Sequence, residues 1–193
     1  MISSKEESIL KRQKIISSGI VILFVVFGAV MYRFQLGPAL EGYFQTRDVV
    51  LFVEEYNKEV YIHEGLAIAD LMEKDGNLQE KDQGEENEAR RSVWRQRKEL
   101  FNEASKEASR AQEKMGTISA KGTSVGIQEK LISKYTFQAE GYESYVKGFD
   151  NLLAGEDGAQ TFEHGSQLLL DAQKFEEEAQ QLMIEKCKKC LVQ

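Results

Sequence analysis

Apolar residues return every three or four positions along four long stretches of this chain, the spacing of a helix with one buried face. The first stretch, 39–74, carries Leu40, Phe44, Val60, Ile68 and Leu71 in that rhythm. Within it, the run Val49-Val50-Leu51-Phe52-Val53 has the composition of a buried strand, but no partner strand is evident elsewhere, and the spacing predicts helix. The second, 86–115, runs through Ala89, Val93, Leu100, Ala104, Ala108 and Met115, with Trp94 and Phe101 widening the stripe. The third, 127–154, shows Leu131, Tyr135, Tyr142, Phe149 and Leu152; the fourth, 161–190, shows Phe162, Leu169, Ala172, Phe175 and Met183. Leu131, Tyr142, Phe149, Leu169 and Phe175 are the expected core.

The breaks between these stretches read as loops. Residues 75–88 are acidic, hold two glycines and offer one apolar side chain, Leu78, so composition predicts a solvated loop. Residues 116–126 (GTISAKGTSVG) open with a helix-ending glycine and supply Thr123 or Ser124 as a cap for the next helix. Gly155 to Gly158 (GEDG) is a turn. Helices of about 30 residues would each be about 45 Å long. Matched lengths and short connections predict an all-α fold, an antiparallel up-down four-helix bundle. The stripes are broad and aromatic, which suits a globular bundle better than a thin coiled coil.

The apolar run ahead of them, 15–32, is of another kind. It is eighteen residues without a charge, close to the roughly 20 that a helix needs to cross a bilayer. Lys5, Lys11, Arg12 and Lys14 precede it, whereas only Arg33 and Arg47 follow closely. That asymmetry predicts a single transmembrane helix with its N-terminus in the cytoplasm and the bundle beyond the membrane. The expected organisation is a cytoplasmic tail over 1–14, the span over 15–32, a juxtamembrane linker over 33–38 and an extracytoplasmic bundle over 39–193. A cleaved signal peptide is the competing reading, because Gly37-Pro38-Ala39 places small residues at a candidate cleavage site. Against it, the apolar run exceeds the usual 7 to 15 residues and Arg33 interrupts the approach. The first fourteen residues are too few for a folded signalling domain.

Composition narrows the function. The chain carries a formal net charge of −7; the part after the span is near −9, because the first fourteen residues contribute +2. An acidic domain does not suit nucleic acid, which wants a basic face.

The motifs that could carry catalysis are weak. Gly122-Thr123-Ser124-Val125-Gly126 fits the G-x-S-x-G pattern, but that chemistry needs a strand, a sharp turn and a helix, and here helices flank it. His63 and His164 are the only histidines, and neither sits three residues after a glutamate as a di-metal bundle requires. His63-Glu64 begins like a zinc-protease helix, but Ala67 stands where the second histidine belongs. No cofactor or metal is therefore expected. Cys187 and Cys190 flank two lysines near a helix C-terminus, where the dipole opposes a thiolate; a disulfide or core packing is the expected role rather than redox catalysis. Lys186, Lys188 and Lys189 are candidates for contact with a membrane surface, to which an even number of antiparallel helices would return the chain's end.

The expectation is a non-enzymatic single-pass protein of the cell membrane. Its bundle would bind a partner protein or itself as an accessory or scaffold subunit. The alternative is a ligand-sensing bundle that signals through a partner's membrane helix, or a secreted helical protein if the leader is cleaved.

Overall fold

The computed structural model describes residues 37–82 and 87–186. The chain divides into two compact units, Met1–Phe44 and Gln45–Gln193, and everything below concerns the second apart from the opening of the first helix. Among the described residues the fold is all-helical. The elements are α1 (Gly37–Tyr56), a π-helical turn (Asn57–Gly65), α2 (Leu66–Asp82), α3 (Asn87–Thr117), α4 (Ser124–Ala154) and α5 (Ala159–Lys186). α1, the π turn and α2 follow without a break as one long helix, helix 1, so the described part is a bundle of four helices. No helix among the described residues is long and apolar enough to cross a membrane, and the run 15–32 lies outside them.

The expected loop over 75–88 is corrected. α2 continues through Asp82, because Asp75 and Leu78 extend the inward stripe of Ile68 and Leu71. Asp75 is buried and ion-paired to Arg97 of α3, a partner that composition alone does not reveal. Val49 and Phe52 are buried on α1, so the strand-like run is helix.

Consecutive helices run antiparallel, as the cross-helix contacts show. Helix 1 meets α3 through Glu64–Lys114 at one level and Asp75–Arg97 at another. α3 meets α4 where the Ser105 hydroxyl donates to the Ala139 carbonyl and where Phe101 stacks on Tyr145 with ring centroids 4.5 Å apart. Phe101, Tyr142, Tyr145, Phe149 and Phe162 form one aromatic block across α3, α4 and α5. The aromatic stripes are core.

α4 and α5 approach most closely, and small residues make that geometry. A Cβ added at Gly158 would lie 2.7 Å from the Gly148 carbonyl oxygen; one at Gly165 would lie 2.9 Å from that of Gly141. Gly158, just ahead of α5, and Gly165, Ala172 and Ala179 on it recur every seven residues, one face at the height of every second turn. Of the expected core, Leu131, Tyr142 and Phe149 are buried, whereas Leu169 and Phe175 are half-buried. α5 makes its close backbone contacts with α4, so its flanks stay open; Phe175 lies on one of them, against Phe137, with the Lys130 ammonium over its ring.

Helix ends are closed by named partners. α4 stops at Gly155, whose left-handed φ of 84° suits a residue without Cβ. The Gly155 and Glu156 amides return to the Leu152 and Asn151 carbonyls, a Schellman ending. Arg91 of α3 donates to the Leu153 carbonyl, and Gln128 of α4 donates to the Met115 and Ile118 carbonyls at the end of α3. Each helix thus satisfies carbonyls that its neighbour cannot satisfy itself.

Candidate functional site

The interior holds a polar cluster where the π turn meets α3, the end of α1 meets α4, and α4 meets α5. The buried stripe of helix 1 reads Phe52, Tyr56, Val60, Glu64, Ile68, four steps of four residues. In an α-helix each such step overshoots a full turn by about 40°. The wider π wind absorbs the excess, and a carboxylate, Glu64, shares the inward stripe with the apolar residues.

Glu64 is 5% exposed. Its Oε1 lies 2.6 Å from the Lys114 ammonium, while its Oε2 is buried with no hydrogen-bond partner. Lys114 also donates to the Glu59 carbonyl inside the π turn. Above the turn, the Tyr56 and Tyr135 hydroxyls lie 3.2 Å apart and join helix 1 to α4. Lys134 is 6% exposed, pairs with Glu176 of α5 at 2.8 Å and sits over the Tyr135 ring at 4.9 Å.

Burial governs the phenols. Desolvation pushes the Tyr56 hydroxyl up to about 12, against a smaller lowering by its bond to Tyr135, with the Glu176 charge adding to the rise. Tyr142 is pushed to about 12 by burial first and the same glutamate second. Tyr135 rises too, through burial and then Tyr56. All three therefore stay protonated across the physiological range. The cluster ties three pairs of helices: helix 1 to α3, helix 1 to α4, and α4 to α5. Buried polar ties of this kind fix register, since a slip leaves charges unpaired.

The residues singled out in the sequence do not assemble into this cluster. Ser124 is fully buried at the start of α4; its hydroxyl donates to the Lys121 carbonyl at 2.9 Å and accepts the Lys121 amide at 2.8 Å. It closes the loop back onto Lys121, a bond that occupies the proton a nucleophile would have to give up. Thr123 makes no side-chain cap. His63 and His164 are exposed, and among the described residues no group of acidic, histidine or cysteine side chains could hold a metal ion. Lys186 is the last residue of α5; Cys187, Lys188, Lys189 and Cys190 lie outside the described residues. Tyr56, Lys134 and Glu176 were not singled out as site residues; Tyr135 was read only as part of an apolar stripe, and Glu64 only beside His63 in the discarded zinc-protease pattern. The signal available for Glu64 was its place in the four-residue steps.

Two open grooves flank the α2–α3 pair. One, of about 390 Å³, has Leu78 and Leu100 in its lining; the other, of about 450 Å³, is edged by Asp70, Lys74, Lys106 and Arg110. Compared with known families, curated proteins and solved structures, the chain matches none.

Proposed function

We propose that this chain is a non-enzymatic, single-pass membrane protein whose helical bundle lies beyond the membrane and binds a partner protein or a second copy of itself. Residues 15–32 supply the span, and the excess of bases ahead of it places the N-terminus in the cytoplasm. The bundle of four antiparallel helices is then the exported, acidic part.

One observation carries the binding reading. Tyr61, Ile62 and Leu66 stand between 43% and 56% exposed where the π turn passes into α2. Single exposed apolar residues are ordinary, but three large ones clustered on one short segment of a charge-rich chain support a protein contact. The polar interior supports it from the other side, because its buried groups are tied to one another and serve the fold.

The test is affinity purification of the full chain from detergent-solubilised membranes, alongside the pair Ile62→Ser and Leu66→Ser. A partner, or a second tagged copy, is expected with the native chain and lost with the pair, the unfolding midpoint being unchanged. Retention of the same partner by the folded pair would remove this surface from the proposal.

A further inference from the structure

Helix 1 carries two overlapping apolar stripes, and the π turn decides which of them reaches the core. Count back from Ile68 along an uninterrupted α-helix of 3.6 residues per turn. The inward positions then fall at Glu64, Tyr61 and Asn57, between Val53 and Glu54, and at Val50. The core instead receives Val60, Tyr56, Phe52 and Val49, one residue earlier at each level. Three of the four replacements are apolar for apolar: Val50 for Val49, Val53 for Phe52 and Tyr61 for Val60. Val50 and Val53 are already half-buried against the core, and the Tyr61 ring lies 6.3 Å from that of Tyr56. The opposite repair, holding the lower half and straightening the upper, would turn His63, Ala67 and Lys74 inward. Only the lower half has a second stripe to offer.

We propose that residues 45–56 of helix 1 have two registers. In the second, the π turn relaxes to α-helix and this segment rotates by one residue, roughly 100°. Val50, Val53 and Tyr61 then enter the core, and the Tyr56–Tyr135 bond is given up for Asn57. The observed register is held by that hydroxyl pair and by the larger volume of Phe52. Its cost is visible in the nine-residue π turn, a wind usually confined to a single turn. Two packings of one helix, each using a coherent apolar stripe, make a bistable element rather than a graded one.

The rotation takes Tyr61 off the surface. A partner that grips Tyr61 together with Ile62 and Leu66 therefore favours the observed register by its differential affinity. That link rests on the function proposed above; the two registers do not.

The experiment uses the full chain in lipid nanodiscs with Cys187→Ser and Cys190→Ser, so that no other thiol is labelled. Spin labels replace Leu51 on α1 and Glu129 on α4, both exposed, and their separation is read by pulsed dipolar spectroscopy with no partner present. Two distance populations are expected. Asn57 is exposed in the observed register and faces the core in the second, so Asn57→Leu should raise the lesser population about tenfold. Tyr61→Ser should deplete it. A single distance unchanged by Asn57→Leu, or two populations indifferent to both substitutions, overturns the proposal. Because both residues lie on the surface in the observed register, neither variant threatens folding, and the unfolding midpoint confirms this. Loss of the partner with both registers intact would count against the binding surface alone.

Discussion

Arg97 grips Asp75 with two hydrogen bonds, Nε to Oδ1 at 2.7 Å and Nη2 to Oδ2 at 3.1 Å, and lays its guanidinium over the Phe149 ring at 5.0 Å. One side chain thereby fixes α2, α3 and α4 at a common height. Removing it strands a buried carboxylate, which costs far more than the pair contributes. Arg97→Ala should destabilise the bundle by about 3 to 5 kcal/mol, read from the denaturant midpoint. Arg97→Lys should recover only part of that loss, since an ammonium can neither fork onto both oxygens nor stack on the ring. Full recovery with lysine would mean that charge alone matters at this site.

The buried phenols set an alkaline limit. Their ordinary value is 10.0, whereas Tyr56 and Tyr142 are pushed up to about 12 in the fold. Below pH 10 both states keep the proton, and the stability these groups give is fully present. Above pH 10 the unfolded chain loses protons that the folded one retains, so stability falls until about pH 12. Each phenol adds a slope approaching about 1.4 kcal/mol per pH unit in that window. The urea midpoint should therefore drop steadily above pH 10. Tyr142→Phe should flatten the drop; an unaltered slope would show that Tyr142 ionises freely in the fold.

Glycine substitutions should split by location. An added methyl at Gly158 meets the Gly148 carbonyl, which is backbone and cannot step aside. Gly158→Ala should force α4 and α5 apart and cost about 1 to 3 kcal/mol. Gly116, inside the last turn of α3, has nothing within 4 Å of its added Cβ and no positive φ. Gly116→Ala should stabilise by about 0.4 to 1 kcal/mol through the unfolded chain. Thermal melts of the two variants check both signs. A neutral Gly158→Ala would mean that the helices do not approach as closely as their backbones indicate.

The helices were legible because each keeps its own stripe over some thirty residues, and stripe position needs no knowledge of the neighbours. The misreadings arose where a charged residue does an interior job. Asp75 looked like the first residue of an acidic loop because its partner stands on the next helix. Glu64 was weighed only beside His63 as the start of a zinc-protease helix, because its interior partner, Lys114, also stands on the next helix. Phe175 failed in the opposite sense. Its spacing promised the core, but α5 leans on one neighbour, so a position that a closed bundle would bury stays on the flank. Ser124 was expected to cap the helix that it begins, but its bonds run back to Lys121 and close the loop instead.

The membrane topology makes a prediction that the two cysteines can read. On the proposed topology, with bases concentrated ahead of residue 15, the N-terminus lies in the cytoplasm and everything after Arg33 is carried outward. Cys187 and Cys190 then face an oxidising compartment, where a disulfide between them or between chains can persist. In intact cells or spheroplasts, a membrane-impermeant maleimide should leave both thiols unmodified until an external reductant is added, and should modify them afterwards without permeabilisation. The N-terminal tail, carrying an epitope, should stay protected from external protease in the same preparation. Thiols that react only after the membrane is opened would reverse the orientation. Thiols recovered in the medium on a chain that begins at Leu40 would instead establish cleavage after Ala39, and the lone span would prove to be a leader.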